Sequence, residues 1–573
     1  MKVLDKVMRT FFKLLLVIVL LVVGGFAGFW IGNHHYLNRY KNVTEVFTMG
    51  NTPSDKELTV TSEDETDYIT QHSMPSLKRM SDEDYQKYVA NLKVIDRADK
   101  LGVAMEDVLH PEKAWKTIYT NVMQPAEEKE TVEFDGTTAS DLNAFIKKNT
   151  GKNIQVTSQE IEMDEQIELS VNTSLSGNAT HLTGSDDVQY SLLMEKLKNC
   201  QIDNFIFDNG NYGIFALNCS NLIISNCKFN NNNNRAVVVS GGDNIQIKYN
   251  EVTGNAYGGL YLIGSMNNVV VLANKIHENN GTANLCAGIV ISANVVEDDP
   301  MDTDTFVKNP LNEKLQAPHN VVVYGNEISE NRSSGIYCDG NYQTYIIKNK
   351  LQSNDKEGLC MDWGTIGTFV SQNTIEYNGF RIDQTDEDLK NDFVDGLGRL
   401  SDGSSPSKLP GISMDNTIWN IIEDNIVSEN AGSGIKSVRT SSENIIYNNI
   451  VADNNRGASD TFHFFGIELG AANDGGEEQD KVSSIMDFSG NYENIIASNV
   501  ITGAHFDGIF LEKDNVNNDI YDNTITGATT WSMEFLGDAY NSSVNNHSTI
   551  NSRGIPLNDV YHSSQNGIMV NNN

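Results

Sequence analysis

Basic residues are scarce in this chain. Its 573 residues carry 41 Lys and Arg against 77 Asp and Glu, a formal net charge of −36. A surface that negative repels nucleic acid and anionic membranes, which excludes both as partners. An anionic polysaccharide stays admissible only where a bound cation or a local basic patch bridges the repulsion. Cysteine is sparse too. The six residues Cys200, Cys219, Cys227, Cys286, Cys338 and Cys360 include no Cys-x-x-Cys and no Cys/His metal spacing. They read as structural, with Cys338 pointing inward as a small hydrophobe. The sequence admits a Cys219–Cys227 bridge without requiring it.

What the chain does have is a stride. Asn226, Asn250, Asn274, Asn326, Asn349, Asn373, Asn425, Asn449, Asn499 and Asn523 are separated by 24, 24, 52, 23, 24, 52, 24, 50 and 24 residues. The period is 24, and three gaps hold one period plus an insertion of 26 to 28 residues. A fixed period of this size marks a solenoid, in which each coil buries its apolar face only against its neighbours. Each coil carries three short β-branched runs, as in Asn320-Val-Val-Val-Tyr-Gly-Asn-Glu-Ile-Ser and Asn444-Ile-Ile-Tyr-Asn-Asn-Ile-Val. Asn and Gly separate the runs, both tolerant of left-handed turn conformations. The runs are too short for helices, and nothing between them has a helical period. Three short strands per turn, stacked in register, make a parallel β-helix. The recurring asparagines, Asn326, Asn349 and Asn373 among them, are expected to form a structural ladder from coil to coil.

This Asn-x-Ile…Asn…Gly-Ile pattern resembles that of the pectate-lyase-like right-handed parallel β-helix proteins, and it does so over residues 131–573. The segment from Val132 to Ile146 resembles the Asp-Gly loop and short capping helix that close such barrels. Leu142, Phe145 and Ile146 share one helical face there, suited to plugging the first coil. The resemblance implies an all-β, right-handed solenoid of about twelve coils. It implies less about activity, because one fold hosts many functions.

Residues 14–31 are free of charge and follow Lys2, Lys6, Arg9 and Lys13. Eighteen helical residues reach about 27 Å, close to the bilayer core. The basic flank assigns residues 1–13 to the cytoplasm, 14–32 to a single transmembrane anchor and the remainder to the outside. A cleaved signal peptide is the competing reading, disfavoured because no clean small-x-small cleavage site follows the run, whose end Ala27-Gly-Phe-Trp-Ile is bulky. Residues 33–130 are polar and acidic and read as a stalk. One helix is expected there, opened by Ser81 and carrying Tyr85, Tyr88, Val89 and Leu92.

Aligning the coils on their Gly-Ile strands brings together Gly335-Ile-Tyr-Cys-Asp339, Gly358-Leu-Cys-Met-Asp362 and Gly411-Ile-Ser-Met-Asp415. Strand alternation sends Ile336 and Cys338, Leu359 and Met361, and Ile412 and Met414 inward. Asp339, Asp362 and Asp415 then form an outward column, about 4.8 Å from neighbour to neighbour. Like charges so stacked call for compensation. A calcium ion bound by all three aspartates supplies it, as does a proton shared in paired-carboxylate catalysis; the bland alternative is a solvated acidic stripe. Lys436 lies on the next coil, level with Ser413 and Glu468, and Arg439 ends its strand. The insertions 294–318, 380–410 and 455–492 all interrupt coils near this strand, which is expected to wall a groove on one side. Tyr337, Trp363, Phe380, His463 and Phe464 stand near those walls, where aromatic rings stack on sugars.

An acidic column followed by a lysine resembles the calcium-and-lysine arrangement of some β-helix polysaccharide lyases. That resemblance implies catalytic roles for Lys436, Arg439 and Asp362, and substrate contacts from Tyr337, Trp363, His463 and Glu468. The Asn-Thr-Asp, Gly-His-Gly and Arg-Ile-Lys motifs of polygalacturonase-like hydrolases are missing. So are the Asp-Pro-His-Asp of alginate epimerases and the Arg-x-Pro-x-x-Arg of pectate lyases. The resulting expectation is a membrane-anchored, extracytoplasmic β-helix acting on a polysaccharide as a lyase or epimerase. Its alternatives are a non-catalytic carbohydrate-binding or structural surface protein and, third, a tailspike-like adhesin. Nothing in the sequence fixes the oligomeric state.

Overall fold

The chain is described here from a computed structural model covering residues 107–571. Outside the description lie residues 1–106, the segments 294–316, 381–408, 458–462 and 471–490, single positions including 363 and 439, and all but short strands of 536–573. The expected membrane span at 14–32, the helix expected from Ser81 and the bulk of the three insertions therefore fall outside it.

Among the described residues thirty-nine strands form one sheet, and their pairings are parallel throughout. Through the body of the sheet each strand pairs with the third strand after it, so Ile336–Asp339 pairs with Leu359–Asp362 and then Ile412–Asp415. The chain thus visits three stacks per turn and climbs one strand each time. The result is a parallel β-solenoid of about 13 turns, against the twelve expected. Its axis is filled as the alternation predicts: Ile336, Cys338, Leu359, Met361, Ile412 and Met414 are all fully buried in one continuous apolar core. Each such side chain contributes about 1.5–3 kcal/mol on burial.

The expected ladder is present, and it is one of three. From Asn250 through Asn274, Asn326, Asn349, Asn373, Asn425, Asn449, Asn499 and Asn523 to Asn546, each Nδ2 donates to the Oδ1 of the next rung at 2.9–3.1 Å. Asn226 does not belong. Cys227 occupies its place and gives its backbone N–H to Asn250 Oδ1. A second column runs from Asn232 through Asn255, Asn279, Asn331, Asn354, Asn378 and Asn430 to Asn454. A third links Asn420, Asn444, Asn494 and Asn518.

The rung asparagines are not themselves the left-handed residues. That conformation falls one position earlier, on whatever is there: Lys348, Gln372, Asp424 and Asn448 precede rungs of the first ladder with φ of 52–58°. A left-handed non-glycine residue costs about 1–2 kcal/mol, and the rung beside it, with several buried hydrogen bonds, offsets that cost. Gly335 is required for another reason, close approach. A Cβ there would sit 2.7 Å from the Gly358 carbonyl and 3.0 Å from Asn354 Nδ2.

The helix α1 (Pro111–Val122) was not foreseen, although Ala114, Ile118, Tyr119 and Val122 mark one buried face. It lies along the second stack. Trp115 stacks on Tyr324 at 5.7 Å, and Gln246 Nε2 donates to the Val122 carbonyl at 2.7 Å. The acidic segment 33–130 is thus laid against the solenoid where it is described. The helix α2 (Ala139–Lys148) caps the first coil as expected, with Thr138 accepting from the Asp141 N–H and Leu142 and Ile146 fully buried. All six cysteines are buried free thiols, Cys219 and Cys227 included.

Candidate functional site

The Gly-Ile strands form the first stack, and its outward face carries the chemistry. Its middle column reads Phe215, Val238, Tyr261, Val290, Tyr337, Cys360, Ser413, Lys436, Glu468 and Phe510. Beside it runs Ile263, Ser292, Asp339 and Asp362, with Asp415 one strand on in the same register. The three aspartates therefore share one column on successive strands, as the spacing predicts. Two of them are not solvated. Asp339 is 3% exposed and Asp362 9%, while Asp415 is half-buried. Strand alternation alone does not reveal this, because it tells only which residues point away from the axis. Tyr212, Val238, Tyr261, Ile263, Val290, Tyr337 and Cys360 form a second apolar cluster, and Asp339 and Asp362 lie on the same strands as its members Tyr337 and Cys360.

Burial changes the chemistry of the column. Asp339 is pushed up to about 7 by loss of water, only partly opposed by the Ser292 hydroxyl donating to it at 3.2 Å. Tyr337 donates its phenol to Asp362 Oδ2 at 3.2 Å. Burial, then the charges of Asp362 and Asp339, hold that phenol well above its usual range. The pair Tyr337–Asp362 is thus a proton donor fixed against an acceptor in a dry setting. Asp339 beside it changes protonation near neutrality.

The remaining expected residues are only partly assembled. Lys436 ion-pairs with Glu468 at 2.8 Å, and Ser433 donates to the other oxygen of Glu468 at 2.6 Å. Lys436 lies in the middle column, level with Ser413, rather than in the aspartate column. His463 is exposed and stacks on Phe506 at 4.1 Å, with Phe465 stacked on Phe510 at 4.2 Å. Phe380 is 38% exposed. Trp363 and Arg439 lie outside the described residues. Among the described residues, no three His, Cys, Asp or Glu side chains are gathered closely enough to hold a metal ion. The described residues break off at 293, 380, 457 and 470 and resume at 317, 409, 463 and 491, each break falling directly before or after a first-stack strand in the chain.

Residues 137–375 match the family model described as right-handed beta helix region. The coil region is a right-handed β-helix. Residues 288–463 of this right-handed β-helix also match the model of the periplasmic copper-binding protein NosD. No curated protein matches the chain. Among solved structures, the A-module of mannuronan C-5 epimerase AlgE4 from Azotobacter vinelandii is 12% identical. The match covers 77% of this chain and 96% of that one, with a TM-score of 0.42. The surface adhesin PfbA of Streptococcus pneumoniae is also 12% identical over 75% of this chain and 93% of that one, with a TM-score of 0.35. Likenesses this distant decide nothing about activity.

The outer face of this right-handed β-helix changes character along its length. Tyr261, Tyr337 and the aspartates hold the middle coils; Lys436, Glu468 and stacked aromatics hold the later ones. One charged residue of the face escaped notice in the sequence: Arg235, two positions before the strand residue Val237 and 1% exposed. Its only sequence signal is a cation in a chain poor in cations.

Proposed function

We propose that the chain is a membrane-anchored, extracytoplasmic β-helix protein that acts on a uronate-containing polysaccharide at the Tyr337–Asp339–Asp362 cluster. The hydrogen bond from the Tyr337 phenol to Asp362, buried beside a carboxyl pushed up to about 7, carries this reading. Lyases and epimerases of uronates must remove a weakly acidic proton next to a carboxylate. A positioned acid–base pair and a donor facing the developing charge are what that step needs. Asp362 with Tyr337 supplies the proton transfer. Asp339, protonated, donates to an oxygen of the substrate carboxylate. The anchor rests on the basic flank and uncharged run of residues 14–31, and the matched description of a periplasmic protein agrees with an outside location. Calcium at Asp339, Asp362 and Asp415 is a separate proposal, and no step above depends on it.

One observation favours the non-catalytic alternative. Lys436, the basic residue expected to act on substrate, is held at 2.8 Å by Glu468. A binding protein on the same face uses the cluster for hydrogen bonds alone.

The deciding experiment incubates the chain with oligouronates and follows both unsaturated-product absorbance and solvent-deuterium incorporation at C5. The expected outcome is one of the two signals, lost in Asp362→Asn and in Tyr337→Phe. Binding without either signal leaves the carbohydrate-binding alternative in place. Calcium is read separately: a rise in melting temperature on adding calcium, reduced in Asp362→Asn, supports the cation site, because a ligand of the folded state stabilises by mass action. An unchanged melt in both removes it.

A further inference from the structure

Past the end of α1 the chain crosses the second stack before it enters the solenoid, and the crossing is tied at both ends. At one end Gln246 Nε2 donates to the Val122 and Gln124 carbonyls, at 2.7 and 2.9 Å. At the other, Lys129 Nζ donates to the Asn199 carbonyl at 2.6 Å and to Ser174 Oγ at 3.0 Å. Between these ties the crossing and the outward column Ser174, Gln201, Ile223 and Gln246 bound a cavity of about 210 Å³. That is the share of about seven waters, the size class of one pyranose ring with its substituents.

The lining carries polar groups that the fold does not use. Lys129 is half-buried, and both of its hydrogen bonds go to neutral oxygens. Among the described residues it has no ion pair, in a chain where acids outnumber bases 77 to 41. An ammonium has a third N–H, which is left for a ligand. Burial pushes this ammonium down from its ordinary 10.5, as expected of a cation short of partners. Gln201 is half-buried on the cavity wall, and its carboxamide makes no hydrogen bond among the described residues. A column of amides from Asn172 through Asn199 and Asn221 to Asn244 borders the same cavity. Each Nδ2 donates to the preceding Oδ1 at 2.6–3.0 Å, which leaves Asn244 Oδ1 at the end of the column unclaimed. Glu127 is the adverse group. It lines the cavity and opposes an anion, but it is exposed and forms no hydrogen bond or ion pair among the described residues. The two ties explain Lys129 as a fastener. They do not explain a free carboxamide beside it.

We propose that this cavity is a binding site for one acidic sugar unit, with its carboxylate on Lys129 Nζ and its hydroxyls on the Gln201 and Asn244 amides. Ile223 and Pro125 supply an apolar patch for the C–H face of the ring. The site lies on the second stack and is separate from the Tyr337–Asp362 cluster on the first. The carboxylate chemistry rests on Lys129. That the anion is a sugar rests on the function proposed above.

The test reads Lys129 directly. Acetic anhydride acylates lysines, and mass spectrometry of the full chain after digestion gives the rate at Lys129 beside that at the exposed Lys148. Galacturonate or guluronate is expected to slow acylation of Lys129 saturably and to leave Lys148 unchanged. Galactose is expected to protect at least about tenfold more weakly, because the charge-assisted contact is lost. Two variants then move the half-protecting concentration in opposite directions. Gln201→Leu is expected to raise it about three- to tenfold, the range of one neutral hydrogen bond. Glu127→Gln removes the opposing charge and is expected to lower it about two- to fivefold. Neither side chain takes part in the ties, so neither substitution unfastens the crossing. A half-protecting concentration that moves in neither variant overturns the placement of the sugar in this cavity. Equal protection by galactose overturns the carboxylate contact, and equal protection by sulfate overturns the sugar. Product formation from oligouronates without protection of Lys129 overturns this site alone. Protection without product formation supports this site and counts against the chemistry assigned to Tyr337 and Asp362.

Discussion

At the scale of single residues, His505 shows how one substitution alters a repeated device. It ends the second ladder where an asparagine is due, taking the Asn454 backbone N–H on Nε2 at 3.2 Å. An accepting Nε2 puts the proton of the neutral ring on Nδ1, which is buried and has no partner. Burial pushes the imidazole down to about 3 from an ordinary 6.5. The folded state therefore favours the neutral ring, and protonation would place a donor against the Asn454 N–H. The sign follows: this contribution is complete above pH 6.5 and is lost as the pH falls toward 3. The loss approaches about 1.4 kcal/mol per pH unit for a single site. His505→Asn is expected to melt near the parent at pH 7 and above it at pH 5, measured by circular dichroism. Parallel pH profiles would show that His505 is not the acid-sensitive rung.

At the scale of elements, the ladders and the strands differ in how openly the sequence displays them. The 24-residue stride displayed the first ladder because nine of its ten asparagines are rungs, and the tenth, Asn226, is one residue off. The second and third ladders share that stride but mix with other asparagines on the turns, so spacing alone did not separate them. The inward and outward faces were legible from alternation. The burial of Asp339 and Asp362 was not, since it depends on what lies over the strand rather than on its period. Arg235 was invisible for the same reason: a lone arginine carries no pattern, and its burial is set by its neighbours. The ladder itself is testable. Asn349 accepts from Asn326 through backbone and side chain, and donates to Asn373 and to the Val323 carbonyl. Asn349→Ala strips two buried donors of their acceptor and is expected to cost on the order of 3 kcal/mol, read as a lower denaturant midpoint. A loss under about 1 kcal/mol would mean that water replaces the rung.

At the scale of the whole molecule, the fold is a sum of nearest-neighbour layers, and stability should follow coil count rather than any one contact. Residues 327–349 are one complete coil of 23 residues between equivalent rungs. Their removal joins Asn326 to Lys350, in the register that Asn349 had. That deletion is expected to fold and to melt in a single transition, though without Tyr337 and Asp339. A deletion of 327–338 leaves half a coil and is expected not to fold. Equal behaviour of the two by circular dichroism would contradict the layered picture.

The amide columns also give the molecule a direction. In the first ladder every side chain turns its oxygen toward the preceding coil and its nitrogen toward the following one, from Asn250 to Asn546. The dipoles add head to tail, and the two ends of the column differ: the early end is closed by the Cys227 N–H, while each later coil must arrive bearing an acceptor. A growing chain meets that demand in the order of its synthesis. A coil added after the existing ones brings an acceptor to waiting donors, whereas a coil added before them would bring donors to waiting acceptors.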